Sequence, residues 1–156
     1  MKKTTDELQA ILDQYTLLLT AIPETDFSWK PAPGKWSKKE VLGHLIDSGQ
    51  NNLRRFICGQ YESSPPHIIY EQEFWVTAND YQHVPAGDVL MLWKLVNRQI
   101  CAVLKSMSPA NYGHLCNTGK GQDQLHSIQW LAEDYVKHLK HHMNQIIPGS
   151  FDIVYP

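Results

Sequence analysis

Apolar positions recur every three to four residues in four long stretches of the chain, which is the spacing of one face of an α-helix. The first opens at Thr4-Thr5-Asp6-Glu7, where Thr4 and Glu7 have the spacing of a capping box, and it continues to about residue 22, ahead of Pro23. The second opens at Ser37-Lys38-Lys39-Glu40, again a capping-box spacing, and runs to about Cys58 before Gly59. The third lies over residues 86–107, bounded by Pro85 and Pro109, and the fourth over residues 127–147, stopped by Pro148-Gly149. Residues 24–36, with Pro31, Pro33 and Gly34, and residues 111–124, with Gly113, Gly119 and Gly121, read as loops. A weaker helical pattern covers residues 71–80. Period-two alternation is scarce, so no strand is expected. The pattern predicts an all-α four-helix bundle with long crossover loops, the second and third loops crossing it, in a single domain over residues 1–156.

The faces of two helices carry the chemistry. Helical residues turn by about 100° each, so positions four apart share a face. In the fourth stretch Ile128, Leu131, Tyr135, Leu139 and Ile146 form the inward stripe; His142 falls inside that arc, His138 on its edge, and His141 further outside. His138 and His142 therefore stand one above the other near the bundle interior, as two ligands of one metal ion would. The pair has half the logic of HExxH, but the glutamate of that motif is missing, which excludes a metalloprotease of that kind. In the second stretch Val41, Leu42, Leu45, Leu53 and Phe56 make an apolar stripe, and His44, Asp47 or Ser48, Asn51 and Arg55 a polar one. A polar helix face is ordinarily solvated. Periodicity does not bring His44 into the core, so from spacing alone the pair and the stripe either meet or do not.

Composition narrows the function. In 156 residues, 14 lysines and arginines stand against 16 acidic residues, a net charge of −2, and no basic footprint for a phosphate backbone results. No apolar run is long enough to span a membrane, and the acidic and polar start lacks the layout of a signal peptide, so a cytoplasmic protein is expected. Three cysteines, Cys58, Cys101 and Cys116, form no CxxC and no disulfide framework. Cys116, near His114 in a loop, has neither a helix N-terminus nor a base to make it a nucleophile. There is no GxSxG elbow, and Gly119-Lys120-Gly121 lacks the rest of a P-loop. Five tryptophans are assigned to packing and interfaces, Trp36 holding the loop before the second helix.

At two blocks the chain resembles the DinB superfamily, the DinB/YfiT-like metalloenzymes. Lys35-Trp36-Ser37-Lys38-Lys39-Glu40-Val41-Leu42-Gly43-His44-Leu45 resembles the family's entry to its second helix, and His138-Leu139-Lys140-His141-His142-Met143-Asn144-Gln145-Ile146 its H-x-x-x-H-x-x-Q-I fourth helix. The resemblance implies a four-helix bundle holding one divalent ion, zinc, nickel or iron, on His44, His138 and His142, with His141 outside the ligand set. It implies a metal-dependent hydrolase or, since relatives include them, a thiol S-transferase. The substrate would be a small molecule, in the second case with a low-molecular-weight thiol. A homodimer is expected, with no nucleic-acid or membrane partner; a non-catalytic ligand-binding bundle is the competing class. Asp47 and Asp134 are candidates to orient an imidazole, and Asn51 and Arg55 to bind an anionic substrate group.

Overall fold

The computed structural model describes residues 1–155. Its four long helices are α1 (Lys2–Thr20), α3 (Lys38–Tyr61), α5 (Ala86–Ser106) and α6 (Ile128–Ile146); two short ones, α2 (Glu24–Phe27) and α4 (Gln72–Ala78), lie in the connections. Local chemistry sets two of the starts. Ser37 caps α3 in a full capping box: its hydroxyl accepts from the Glu40 N–H at 3.2 Å, and the Glu40 carboxylate accepts from the Ser37 N–H at 2.8 Å. Ser127 caps α6 by accepting from the Trp130 N–H at 3.1 Å. The box expected at Thr4 does not form. Helix α1 begins three residues earlier, with Met1 in place of Thr4 as its cap, Thr5 bonds back to the Lys2 carbonyl, and Glu7 pairs with Lys140 of α6 instead of folding back on its own helix.

Helix α1 packs against α5 and α6, and α3 packs against α5 and α6 as well. The first and second long helices are thus diagonal, and so are the third and fourth. The connection from α5 to α6 crosses the bundle, as the pattern predicted. The connection from α3 to α5 does not: those helices are neighbours, and the other crossing is made by the first loop, residues 21–37. That loop is also less irregular than expected, because Pro23 and two early acids start α2, whose Phe27 is buried. Glu24 secures the crossing by accepting from Lys39 Nζ at 2.7 Å and from the Ala86 N–H at 2.9 Å.

The core is one cluster in which Trp93, Tyr135, Leu42, Leu45, Ile100 and Leu139 have no more than 1% of their surface exposed. A buried polar bridge between helices α5 and α6 donates from the Tyr135 hydroxyl to Asn97 Oδ1 at 2.7 Å. Gly49 lets α3 approach closely, since a Cβ there would come 2.9 Å from Val96 and 3.0 Å from the Tyr135 hydroxyl.

The segment 111–124, together with the residues flanking it, is not purely loop. Strands β1 (Leu115–Asn117) and β2 (Leu125–Ser127) pair antiparallel, and His67 bridges to Asn117 in parallel. Three-residue strands are too short for alternation to register in the sequence. Side-chain bonds make the turn: Asn117 Oδ1 accepts from the Gly119 and Gln124 N–H groups, both at 3.0 Å, and its amide donates to Asp123. Gly119 is required there, because a Cβ would lie 1.7 Å from the Gln122 carbonyl oxygen. No helix of the described residues is long and apolar enough to cross a membrane.

Candidate metal centre

Packing of α3 on α6 brings together side chains 94 residues apart: His44 Nε2 lies 3.2 Å from His138 Nε2. One ring nitrogen from each of His44, His138 and His142 falls within 4.8 Å of the others, the one such cluster among the described residues. The ring centres are 4.6 Å apart for His44 and His142 and 4.4 Å for His138 and His142. His44 is buried to 1% exposure at the start of the polar stripe, and the rest of that stripe is buried with it: Asp47, Ser48, Asn51 and Arg55. The stripe is an interior surface.

Burial makes all three imidazoles neutral. It pushes His44 down to about 3, with the nearby His142 adding to the effect. Burial likewise holds His138 well below the ordinary imidazole range, helped by His142, His44 and His141. His142 is lowered by burial too, with its bond to Gln145 working in the opposite direction. Neutral imidazoles offer lone pairs, which is the state a metal ion requires.

Gln145 sorts the histidines. Its carbonyl oxygen accepts from His142 Nδ1 at 3.1 Å, which keeps the proton on Nδ1 and leaves Nε2 as the lone-pair nitrogen. Its amide nitrogen faces His141 Nε2 at 3.3 Å and engages that lone pair. His141 thus stands outside the cluster for a chemical reason. Sequence reasoning gave Gln145 no role; its position three residues after His142 and four after His141 on one helix was the available signal.

The donor set fits a divalent ion. Two nitrogens bound to one zinc at about 2.0–2.1 Å in a tetrahedron stand roughly 3.3–3.4 Å apart; His44 and His138 are 3.2 Å apart, and all three nitrogens lie within 4.8 Å. The outer support differs from expectation. His44 Nδ1 and His138 Nδ1 are buried without a partner. Neither proposed carboxylate reaches an imidazole: Asp47 Oδ1 accepts from the Tyr81 hydroxyl at 2.7 Å and from Asn79 at 3.0 Å, and Asp134 accepts from the Tyr155 hydroxyl at 3.2 Å. Burial raises Asp47 to about 6 against the pull of the Tyr81 bond, and it raises Asp134 as well. Cys116 is wholly buried and its thiol pushed up to about 11, so it is no nucleophile.

Two openings flank the cluster. His138 lines a cavity of about 260 Å³ whose wall also holds Arg55, Tyr70, Asp134 and Tyr155. On the other side Trp36, with its ring 5.2 Å from His44, and Gln145 line a cleft of about 720 Å³ that includes Trp29.

A helical bundle with three converging histidines, next to a cavity of small-molecule size, defines a class of metal-binding proteins. The family is specific: residues 7–146 match the model of the DinB superfamily, and the chain belongs to it. A "Putative metal-dependent hydrolase" of Geobacillus thermodenitrificans (strain NG80-2) is 29% identical over 114 residues, which span 73% of this chain and 64% of that relative's length. Another of that name from Bacillus mycoides (strain KBAB4) is 27% identical over 89% of this chain and 80% of its own. Among solved structures, YfiT from Bacillus subtilis, described as a probable metal-dependent hydrolase with an unusual four-helix bundle topology, superposes with a TM-score of 0.82 at 19% identity, covering 93% of this chain and 82% of that one. A mycothiol-dependent maleylpyruvate isomerase gives 0.70 at 10% identity, over 91% of this chain and 59% of that one. At these identities the two structures establish a shared fold.

Proposed function

We propose that this chain is a metal-dependent hydrolase acting on a small molecule, with one divalent ion (zinc, nickel or iron) held by His44, His138 and His142. The observation that carries the reading is the convergence of three neutral imidazole nitrogens from α3 and α6 within 4.8 Å. When bound, the ion supplies a Lewis acid with open coordination positions that lowers the pKa of a coordinated water or thiol toward neutrality. The chain's own residues do the rest. Gln145 keeps the His142 proton on Nδ1 and orients the ring. The 260 Å³ cavity admits the substrate beside His138. On its wall Asp134, hydrogen-bonded to Tyr155 and raised by burial, accepts a proton from the attacking water and returns it to the leaving group. The names of the relatives support hydrolysis.

A second reading is thiol S-transfer, in which the ion would hold a low-molecular-weight thiolate. The fold shared with the mycothiol-dependent enzyme agrees with it. Either reaction is assigned to a single cytoplasmic domain that works as a homodimer and has no nucleic-acid or membrane partner.

The test is metal content per chain in untagged wild type, His44→Ala and His142→Ala, followed by ester hydrolysis and thiol-transfer assays. Near-stoichiometric metal lost from both variants supports the reading. No metal in wild type after reloading with zinc or nickel rejects it.

A further inference from the structure

The cavity beside His138 contains a buried charge that no direct ion pair balances. Arg55 is 8% exposed, and a guanidinium is charged at any physiological pH. Burying such a charge is costly unless an anion balances it. Yet among the described residues Arg55 takes part in no ion pair. Its bonds go to neutral acceptors: Nε and Nη2 donate to the Ile68 carbonyl at 3.1 and 2.6 Å, and Nη1 donates to Asn52 Oδ1 at 3.1 Å. A guanidinium carries five N–H donors, so about two remain. The side chain lines the 260 Å³ cavity together with His138, and also the adjoining one of about 400 Å³. Tyr70 lines both beside it.

The one carboxylate on the wall, beside His126 and His138, bears on the orientation. Asp134 precedes His138 by one turn of α6, and its carboxylate is taken up by the Tyr155 hydroxyl. Asp134 and Arg55 act on each other through charge without forming an ion pair; Asp134 disfavours an anion beside itself, and Arg55 is the cation on the wall that would receive one. Helix α3 turns Arg55 and His44 toward the same interior, eleven residues apart and so three turns along one stripe.

We propose that Arg55 binds a carboxylate of the substrate in this cavity, with Tyr70 beside it, and so presents the rest of a small acidic molecule to the histidine cluster. This rests on the hydrolase or transferase reading for its catalytic meaning, but carboxylate binding itself does not need the metal. The substrate class that follows is a low-molecular-weight carboxylic acid, its reacting group on the far side of the molecule from the carboxylate. Arg55 is a specificity residue in this scheme. Its bond to Ile68 is what pre-orients the guanidinium.

The experiment is titration of the full chain, as purified and after zinc loading, with acetate, glutarate and 3-mercaptopropionate, and with glutaramide as the uncharged control. Binding is read by calorimetry and by the Arg55 Nε–H resonance, with metal content measured on the same samples. At least one of the acids is expected to bind wild type and shift that resonance, while glutaramide does neither. Arg55→Gln is expected to weaken the acid about tenfold or more, the scale of one charge-assisted hydrogen bond, and Arg55→Lys to recover part of the loss. If Arg55→Gln unfolds, the wild-type resonance still decides. An unmoved Arg55 resonance with all three acids, equal binding of glutarate and glutaramide, or undiminished binding by Arg55→Gln each overturns the proposal. A chain that holds no zinc yet binds acid at Arg55 sinks the metalloenzyme reading alone. Zinc on the three histidines with Arg55 silent sinks this inference alone.

Discussion

Helices α3 and α6 meet at the histidine cluster, but they are surrounded differently. Helix α6 is amphipathic in the ordinary way: Leu131, Tyr135, Leu139 and Ile146 are buried, and Gln129, Glu133 and Lys137 are exposed. Helix α3 is covered by α2, α4, α5, α6 and β1, and every residue from Lys39 to Gly49 is buried. On α6 polarity marks the solvent side except at Asp134 and His138, which line the cavity. On α3 it marks an interior surface, and a polar residue there needs a partner, a ligand or a cost in stability. Of the buried polar atoms without a partner, α3 contributes three, on His44, Asp47 and Asn51, and α6 one, on His138. The lesson is that the number of neighbours around a helix, more than its own pattern, decides whether a polar stripe is surface or site.

The largest expected effect tests whether the two helices share one centre. His44→Ala on α3 and His142→Ala on α6 should each remove nearly all bound zinc by elemental analysis, while His141→Ala keeps it, since Gln145 already engages that ring. Retention by His44→Ala would detach α3 from the centre. Next in size, Leu139→Ala on the buried stripe of α6 should cost about 2–5 kcal/mol in urea unfolding, whereas Leu17→Ala, 73% exposed on α1, should change stability by no more than about 0.5 kcal/mol. Equal losses would contradict the burial described for α6.

A smaller effect is expected from pH in metal-free protein. The folded pKa of His44 lies near 3, below the ordinary 6.5. The unfolded chain therefore binds the proton first as pH falls, so stability from the neutral imidazole is present above about 6.5 and is lost progressively toward 3. Asp47, raised to about 6, works in the opposite direction between its ordinary value and 6. Comparison with His44→Gln isolates the histidine: wild type should lose about 2 kcal/mol more than the variant between pH 7 and pH 5. Parallel losses would mean that His44 is hydrated in the fold. The smallest effect concerns the helix starts: Ser37→Ala on α3 and Ser127→Ala on α6 should each cost about 1 kcal/mol. Unchanged urea midpoints would show that tertiary packing alone holds those termini.

Much of this was legible along the chain, and the reason is locality. The capping box at Ser37, the start of α6 near residue 127, the inward stripe of α6 and the juxtaposition of His138 with His142 depend on residues within a turn or two, so spacing reports them. The DinB-like blocks named His44 as well, by resemblance. What spacing could not report was which helices are neighbours. The Thr4 box yielded to an earlier start and a pair between Glu7 and Lys140, the hairpin arose from the side chain of Asn117, and the crossing passed from the second loop to the first. Asp47 and Asp134 found Tyr81 and Tyr155 in place of imidazoles. The sequence by itself determined the helices, their ends and one histidine pair, because those follow from contacts near in the chain. Only the tertiary structure decided that the polar face of α3 is buried, that His44 meets the pair, and that Arg55 stands without an anion, because each depends on groups brought together from distant parts of the chain.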